Sequence, residues 1–304
     1  MQHKQSSPPP NPNADIDRYL SVLEPIKDTA EPYIIVLRRN GHPEAMLIGR
    51  KSSTRISCKI GYLTLLKPSL RCISIGYRRF LGQLKPEVCS ILIEELNHSL
   101  RNGEADVAVF NHLPTGSNMY QVARTKSNVF SRGYFPKVNH HWRMSVPQEI
   151  DLFYRKLSKK HRSNLKRYMR NLEKKHQVRM VTYSRKDMLE EAITAATQIS
   201  SRTYQHALES GFVDDAPTRR RLTTAAELGW LRLHILFIND KPCAFQLGLQ
   251  YQRTYFLAQI GFDPEWKRCC IGTTLFLKVL EDLCHDPAVD SLDFGFGDRV
   301  FATS

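Results

Sequence analysis

Apolar and polar positions change rhythm along the last third of the chain. Leu231 to Phe237, Ala244 to Leu249 and Thr254 to Ile260 read as three β-strands, parted by Asn239-Asp240-Lys241 and Tyr251-Gln252-Arg253, polar turns of hairpin length. The period then lengthens. Leu275, Phe276, Val279, Leu280 and Leu283 fall on one helical stripe, which predicts a helix from near Gly272 to about Cys284. Farther upstream, Tyr33 to Leu37 precedes Asn40-Gly41, the strongest short hairpin signal, and a helix is expected from about Pro86 to Leu100, then a strand from Asp106 to Phe110. Phe153, Leu157, Leu165, Tyr168, Met169 and Leu172 give another helical stripe. It reads as one helix, with a start signal and capping-box pattern at Ser145 and Pro147-Gln148-Glu149.

A repeat divides the chain. Asn40-Gly41-His42-Pro43-Glu44-Ala45-Met46-Leu47-Ile48-Gly49 and Asn239-Asp240-Lys241-Pro242-Cys243-Ala244-Phe245-Gln246-Leu247-Gly248 share Asn, Pro, Ala and Gly at the same offsets, each at a hairpin. The pattern fits either two related domains or the same hairpin chemistry reached twice. The shared Pro is expected to open an edge-side strand, and the small Ala to face a crowded core. The domains expected are a disordered Pro-rich leader over 1–14, an N-terminal domain over 15–140 and a C-terminal domain over 141–304.

Length and composition suit this division: 304 residues, 41% hydrophobic, are enough for two globular cores. No run approaches the roughly 18 to 20 apolar residues of a membrane span, so no transmembrane segment is expected. The cysteines are odd in number, seven, and lack metal-ligand spacing, which argues against a disulfide framework or a metal site and for a cytoplasmic location. Charge is more informative. The net charge is +14, and Arg155, Lys156, Lys159, Lys160, Arg162, Lys166, Arg167, Arg170, Lys174 and Lys175 crowd the helical segment 153–175, where Glu173 is the one acid. Three readings compete: a solvated face, a nucleic-acid or membrane patch, and a site for an anionic substrate centred on Lys159, Arg162 and Lys166. Interleaved aromatics for base stacking and helix-turn-helix or RNP patterns are absent.

The stretch Arg268-Cys269-Cys270-Ile271-Gly272-Thr273 lies where the strands give way to the helix. A helix N-terminus offers unpaired N–H groups and partial positive charge, Gly272 lets a phosphate approach, and Arg268 adds a full charge. A thiol there would be activated, but no His-Asn or His-Asp partner can be placed beside Cys269 or Cys270, so both are read as small packing residues of a loop. The stretch resembles the acyl-CoA loop of the GCN5-related N-acetyltransferase (GNAT) superfamily, Arg/Gln-x-x-Gly-x-Gly/Ala, either with Arg268 and one extra residue before Gly272 or with Lys267 or Cys269 shifting the register, and with Thr274 at the second small position. Lys241-Pro242-Cys243-Ala244-Phe245, Gly261-Phe262-Asp263-Pro264-Glu265-Trp266, Asp293-Phe294-Gly295-Phe296-Gly297-Asp298 and Leu157-Ser158-Lys159-Lys160-His161-Arg162-Ser163-Asn164-Leu165-Lys166-Arg167 look like successive blocks of the CelD/BcsL-type acetyltransferase branch, related to Fem-type aminoacyltransferases. The likeness spans roughly 141–301. It departs from the family at its end, where Phe301-Ala302 replace Tyr-Lys and the chain stops at Ser304, which leaves the closing strand unassigned.

The resemblance implies an α+β protein of tandem GNAT-like domains, with mixed, mainly antiparallel sheets flanked by helices, the N-terminal copy degenerate and without an Arg-x-x-Gly loop. It further implies an acyltransferase that uses acetyl-CoA or another acyl-CoA, bound by Gln259, Arg268, Cys270, Ile271, Gly272 and Thr273, with no metal. The acceptor expected is an amine on a small molecule or a cell-envelope glycan precursor. The alternatives are a Fem-type transferase using aminoacyl-tRNA, the only case that brings in nucleic acid, and an inactive binding protein. Acyl transfer needs a base, an oxyanion donor and an acid for the leaving thiolate. GNAT folds take the donor from the main chain of the strand at Thr254 to Ile260. Glu265 and Asp298 are the candidate catalytic carboxylates, with Asp263 beside them; each also has a structural reading, as a partner of Lys267, a turn closer beside Gly297 and a turn opener before Pro264 respectively. Tyr255 and His234, on strands, read more readily as packing.

Overall fold

The computed structural model describes residues 11–55, 58–60, 63–127, 133, 138–203 and 211–297. These form two compact units, 1–138 and 139–304. In the first, strands β1 (Ala30–Arg39), β2 (His42–Arg55), β5 (Ser69–Gly82) and β6 (Val107–Phe110) lie in the order β1-β2-β5-β6, and β3 (Cys58–Ile60) and β4 (Leu63–Leu66) form a separate hairpin. Helix α1 (Ile16–Leu23) packs Tyr19 and Leu23 on one sheet face against Ala30 and Ile48. Helices α2 (Pro86–Arg101) and α3 (Asn118–Lys126) cover the other face, burying Val88, Leu92 and Met119 against Leu47, Ile73 and Ile75. The helix expected over Pro86 to Leu100 is α2, and this is its buried face.

The second unit opens with β7 (His141–Ser145), α4 (Ile150–Lys156), α5 (Lys159–Lys175), β8 (Val178–Tyr183), α6 (Leu189–Ser200) and α7 (Ala216–Glu227). There follow β9 (Leu231–Ile238), β10 (Lys241–Tyr251), β11 (Thr254–Phe262), α8 (Ile271–His285) and β12 (Ser291–Phe296), in the sheet order β7-β12-β11-β10-β9-β8. One face carries α8 and α5, with Leu165, Leu172, Leu236, Tyr255, Leu275 and Leu280 in the core. The other carries α6, whose Ala192, Ala196 and Ile199 pack on Leu231, Leu233, Ile235 and Phe245. Among the described residues no helix is long and apolar enough to cross a membrane.

The repeat is structural. Each unit runs hairpin, third strand, helix, then a fourth strand parallel to the third: β1-β2-β5-α2-β6 and β9-β10-β11-α8-β12. Both hairpin turns place two residues at positive φ, Asn40 (51°) and Gly41 (82°), Asn239 (49°) and Asp240 (60°), the geometry that matches strand twist. Both second strands carry an extra residue after the shared Pro, Glu44 and Cys243. The ladder shifts again at the shared Gly, at Gly49 and Gly248. Ala45 and Ala244 are buried, as a crowded core requires. The tandem GNAT-like, mainly antiparallel α+β architecture is therefore present.

Four expectations need correction. The single basic helix is two, α4 and α5, broken at Leu157-Ser158 because Ser158 Oγ accepts the His161 N–H and starts a new helix. The capping box fails: Glu149 is the N-cap of α4 and no side chain caps it. Pro43 and Pro242 sit on inner strands, tolerated because each begins its strand beside a bulge. Within the expected leader, Asn11 and Pro12 are buried and Pro12–Ala14 form a 3-10 turn. Strand β7, from upstream, pairs antiparallel with the outer edge of β12.

Candidate active site

Strands β11 and β12 pair in parallel only at Thr254–Ser291, Tyr255–Leu292 and Phe256–Asp293. Beyond Phe256 the two part. In the parted stretch β11 bulges against β10: Gln259 opposes Leu247 and Leu257 opposes Gly248, so Ala258 is extra, and it is exposed. A bulge where pairing ends re-aims the backbone, and among the described residues the edge of β11 facing β12 has no ladder partner beyond Phe256. Two glycines let the strand sit this closely. A Cβ on Gly248 would meet the Tyr255 ring at 2.2 Å, and one on Gly261 the Phe245 ring at 2.3 Å.

After β11, Asp263 turns the chain. Its Oδ1 accepts the Glu265 N–H (3.0 Å) to cap a 3-10 helix over Pro264–Cys269, and its Oδ2 accepts from Arg202 Nη1 at 2.8 Å. Cys270 then adopts the left-handed conformation (φ 53°) and starts α8 with no side-chain cap. Its carbonyl accepts the Thr274 N–H (2.9 Å) and its N–H reaches Lys267 O (3.3 Å). The N–H groups of Ile271, Gly272 and Thr273 precede the first bond within the helix, and no side chain caps them, the state of an uncapped helix start. Gly272 is not required by the protein itself. Its φ is not positive, and the nearest atom to an added Cβ, Phe262 Cδ1, lies at 3.4 Å, an ordinary contact. That contact also sets the helix start against the far end of β11.

The expected residues divide accordingly. Gly272 and Thr273 are half-buried at the helix start; Arg268 is exposed in the preceding turn. Ile271 contributes only backbone, since its side chain is core (1% exposed), and Cys270 has its N–H already engaged. Gln259 is half-buried just past the bulge. Of the carboxylates, Asp263 is a cap and ion-pair partner. Glu265 is exposed and makes no ion pair with Lys267 among the described residues. Asp298 lies outside the described residues. Tyr255 is fully buried, its hydroxyl accepting from Gln246 Nε2 (3.2 Å). His234 is also buried, with Nδ1 3.0 Å from Thr182 Oγ1.

One pair was missed by sequence reading. Asp293, the last β12 residue to pair with β11, is 8% exposed at its side chain and accepts from His141 Nε2 at 2.8 Å and from the Gly295 N–H at 2.8 Å. The His141 ring lies 4.8 Å from that of Phe296. Beside them Arg143 donates to Thr254 Oγ1 (3.1 Å) and Ser291 Oγ (2.5 Å). A buried carboxylate holding a partly exposed imidazole where two strands separate is suited to moving a proton. The signal was weak. Asp293 was visible as part of a family block, but 152 residues separate it from His141.

On α5, Leu165 and Leu172 face the core. Lys166 lies 4.8 Å from the Tyr154 ring and 3.5 Å from Asp151, and Glu173 pairs with Lys278 of α8 (2.8 Å). Lys159 and Arg162 make no ion pair among the described residues. A groove of about 590 Å³ is lined not by these three but by the adjoining stripe, with Arg167, Arg170, Asn171, Glu173 and Lys174.

No curated protein matches the chain. Among solved structures it is similar to FemX (10% identity, 94% of this chain and 84% of that one, TM-score 0.59) and to L-PGS from Bacillus licheniformis (10%, 96% and 82%, TM-score 0.52). It is also similar to a conserved protein of unknown function from Bacteroides thetaiotaomicron VPI-5482 (11%, 93% and 82%, TM-score 0.51). At such identities the likeness is one of fold, and it extends over both units. Residues 159–302 match the family described as the acetyltransferase (GNAT) domain, so the second unit carries a GNAT-type acyltransferase domain.

Proposed function

We propose that the second unit transfers an acyl group, acetyl in the first instance, from acyl-CoA to an amine. The observation that carries this reading is the uncapped start of α8, with a glycine that neither packing nor φ demands, set against the strand end where β11 and β12 part. The N–H groups of Ile271, Gly272 and Thr273 would hold the pyrophosphate, with Arg268 adding charge. The parted strands would take the thioester arm. The His141–Asp293 pair would accept the amine proton as nitrogen attacks the thioester carbon, the main chain near Ala258 would stabilise the oxyanion, and collapse would break the C–S bond, the thiolate leaving with a proton. The acceptor class we favour is an amine of a cell-envelope polysaccharide precursor, on the CelD/BcsL-type blocks quoted above.

Calorimetric titration with acetyl-CoA and CoA, at two salt concentrations, tests the donor. Saturable binding lost in Gly272→Asp is expected; unaltered affinity in that variant would remove the loop from the site. A second reading is supported by the tandem fold shared with FemX: an aminoacyl-tRNA donor, with the unpaired cations of α5 on its phosphates. It predicts tRNA binding whose logarithm falls steeply with log salt, by about 0.7 to 0.9 per phosphate contact, and no saturable CoA binding.

A further inference from the structure

The first unit contains charged groups that the acyl site does not use. Arg50 of β2 and Arg79 of β5 are both half-buried on the sheet face that carries α1. Arg79 belongs to a wide bulge: Leu47 opposes Phe80 but Gly49 opposes Ile75, so Gly76 to Arg79 loop out, with Arg78 at φ 56°. Its side chain folds down over Gly76, where an added Cβ would lie 2.8 Å from Arg79 Nε and 3.0 Å from Cδ. The guanidinium then rests 5.0 Å from the ring centre of buried Tyr19, whose hydroxyl donates to Gly49 O at 2.8 Å. Side chain, glycine and ring thus fix where this charge sits.

Nothing negative meets it among the described residues. Among the described residues the side chain of neither Arg50 nor Arg79 makes an ion pair or a hydrogen bond, although other arginines of the unit do: Arg39 with Glu44, and Arg71 with Asp106. Residues 1–10, 56–57, 61–62, 128–132 and 134–137 contain no Asp or Glu, so no acid of the unit's undescribed stretches is available either. Burial lowers the Arg79 pKa and the nearby Arg50 lowers it further, which marks the two as a mutually repelling pair. Half-buried cations ordinarily have counter-anions, because desolvated like charges cost free energy on folding. The Tyr19 ring offsets a fraction of this through cation–π attraction.

We infer that Arg50 and Arg79 form an anion site for a phosphoryl group, on the α1 face of the first unit and independent of the acyl-CoA site. Two guanidinium charges match a phosphate, which carries about −1.5 to −2 at neutral pH, better than a single carboxylate, and two planar forks suit its tetrahedral oxygens. The source of the phosphoryl group is either free phosphate or a phosphorylated metabolite.

The test uses the full chain, inorganic phosphate as probe, acetate and chloride at matched ionic strength as controls, and the variants Arg50→Gln and Arg79→Met, the second keeping the apolar stem over Gly76 and Tyr19. Phosphate should raise the unfolding midpoint of the wild type saturably, and each variant should bind it roughly tenfold or more weakly. Without phosphate, Arg50→Gln should unfold no earlier than the wild type, because a repulsion has been removed. A simple phosphate monoester that outcompetes phosphate would assign the source to a metabolite; equal affinity would assign it to free phosphate. The inference is overturned if the wild type does not respond, if acetate stabilises as well as phosphate, or if Arg50→Gln retains full affinity, which would move binding to another basic surface. Arg50→Gln alone decides the matter if Arg79→Met does not fold.

Discussion

The two units build one kernel and differ most where the acyl-CoA site is proposed in the second. The helix between the parallel strands begins Ile271-Gly272-Thr273 in the second unit and Pro86-Glu87-Val88 in the first. Pro86 removes an N–H from the helix start and Glu87 puts a carboxylate at the position Gly272 occupies, so the start of α2 disfavours an anion where the start of α8 carries the site proposed for one. The gap between strands differs too. At the end of its paired stretch the first unit stacks Phe80 on Phe110, centroids 6.2 Å apart, across β5 and β6, whereas in the second Ala258 stands exposed and Asp293 holds His141. The shared bulges and buried alanines show that fold is retained by the packing rows, while the ends of the third strand and the helix are free to diverge.

The largest effect should come from making the second unit resemble the first. Gly272→Asp should lower CoA affinity on the order of a hundredfold by placing an anion among the free N–H groups, with the unfolding midpoint nearly unchanged because the new Cβ meets only Phe262. Titration calorimetry beside a urea melt checks both halves, and a large loss of stability would show that the glycine serves the fold. Asp293→Asn should come next. The amide still accepts the Gly295 N–H but no longer stabilises an imidazolium on His141, so kcat should fall about 10- to 100-fold with KM little changed. A pH–rate profile that kept its acidic limb in this variant would assign the proton transfer elsewhere.

How far these features were legible depends on their range. The Asn40-Gly41 and Asn239-Asp240 turns, the strands beside them and the helices after Gly272 and Pro86 are set by local rules of period and turn chemistry, and they stand within a few residues of where the pattern put them. Gly272 was legible because a helix start announces itself. The break at Ser158 was not. Its apolar stripe runs through both helices, and a capping serine competes locally with a periodicity that spans the gap. The role of β7 was hidden for a different reason. Nothing in His141-Trp142-Arg143-Met144-Ser145 says that it will pair with a strand 146 positions on (Ser145 with Ser291), so the His141–Asp293 pair, which depends on that pairing, could not be read. Glu265 attracted attention by lying near the loop, yet the 3-10 turn that Asp263 caps leaves it exposed.

The comparison also predicts unequal tolerance at equivalent glycines. An added Cβ at Gly248 lies 2.2 Å from Tyr255 and at Gly49 3.2 Å from Ser74 O. Gly248→Ala should therefore cost about 2 to 3 kcal/mol and Gly49→Ala about 1 kcal/mol or less, read from chemical denaturation. Equal costs would mean that Tyr255 can swing aside, and with it the wall of the parted strands.

A smaller difference should appear with pH. Across the second sheet runs a polar row, half-buried Thr182 and buried His234, Gln246 and Tyr255, where the offset of the repeat puts Ile35 and Leu47 of the first unit at the His234 and Gln246 positions. Burial, with a minor contribution from Arg232, pushes the His234 pKa down to about 3. Because the folded value lies below the unfolded one of about 6.5, the unfolded chain takes up the proton first, and stability is full above that value and lost as pH falls toward 3. The slope approaches about 1.4 kcal/mol per pH unit, so lowering pH from 7 to 5 should cost roughly 2 kcal/mol from this group. His234→Gln should flatten that stretch of the stability curve. Because Ile35 does not titrate, the acid-labile cooperative transition should belong to the second unit, and hydrogen exchange followed from pH 7 to 5 should show protection lost first in β9 and β10. Protection lost first in β1 and β2 would place the acid sensitivity outside the polar row.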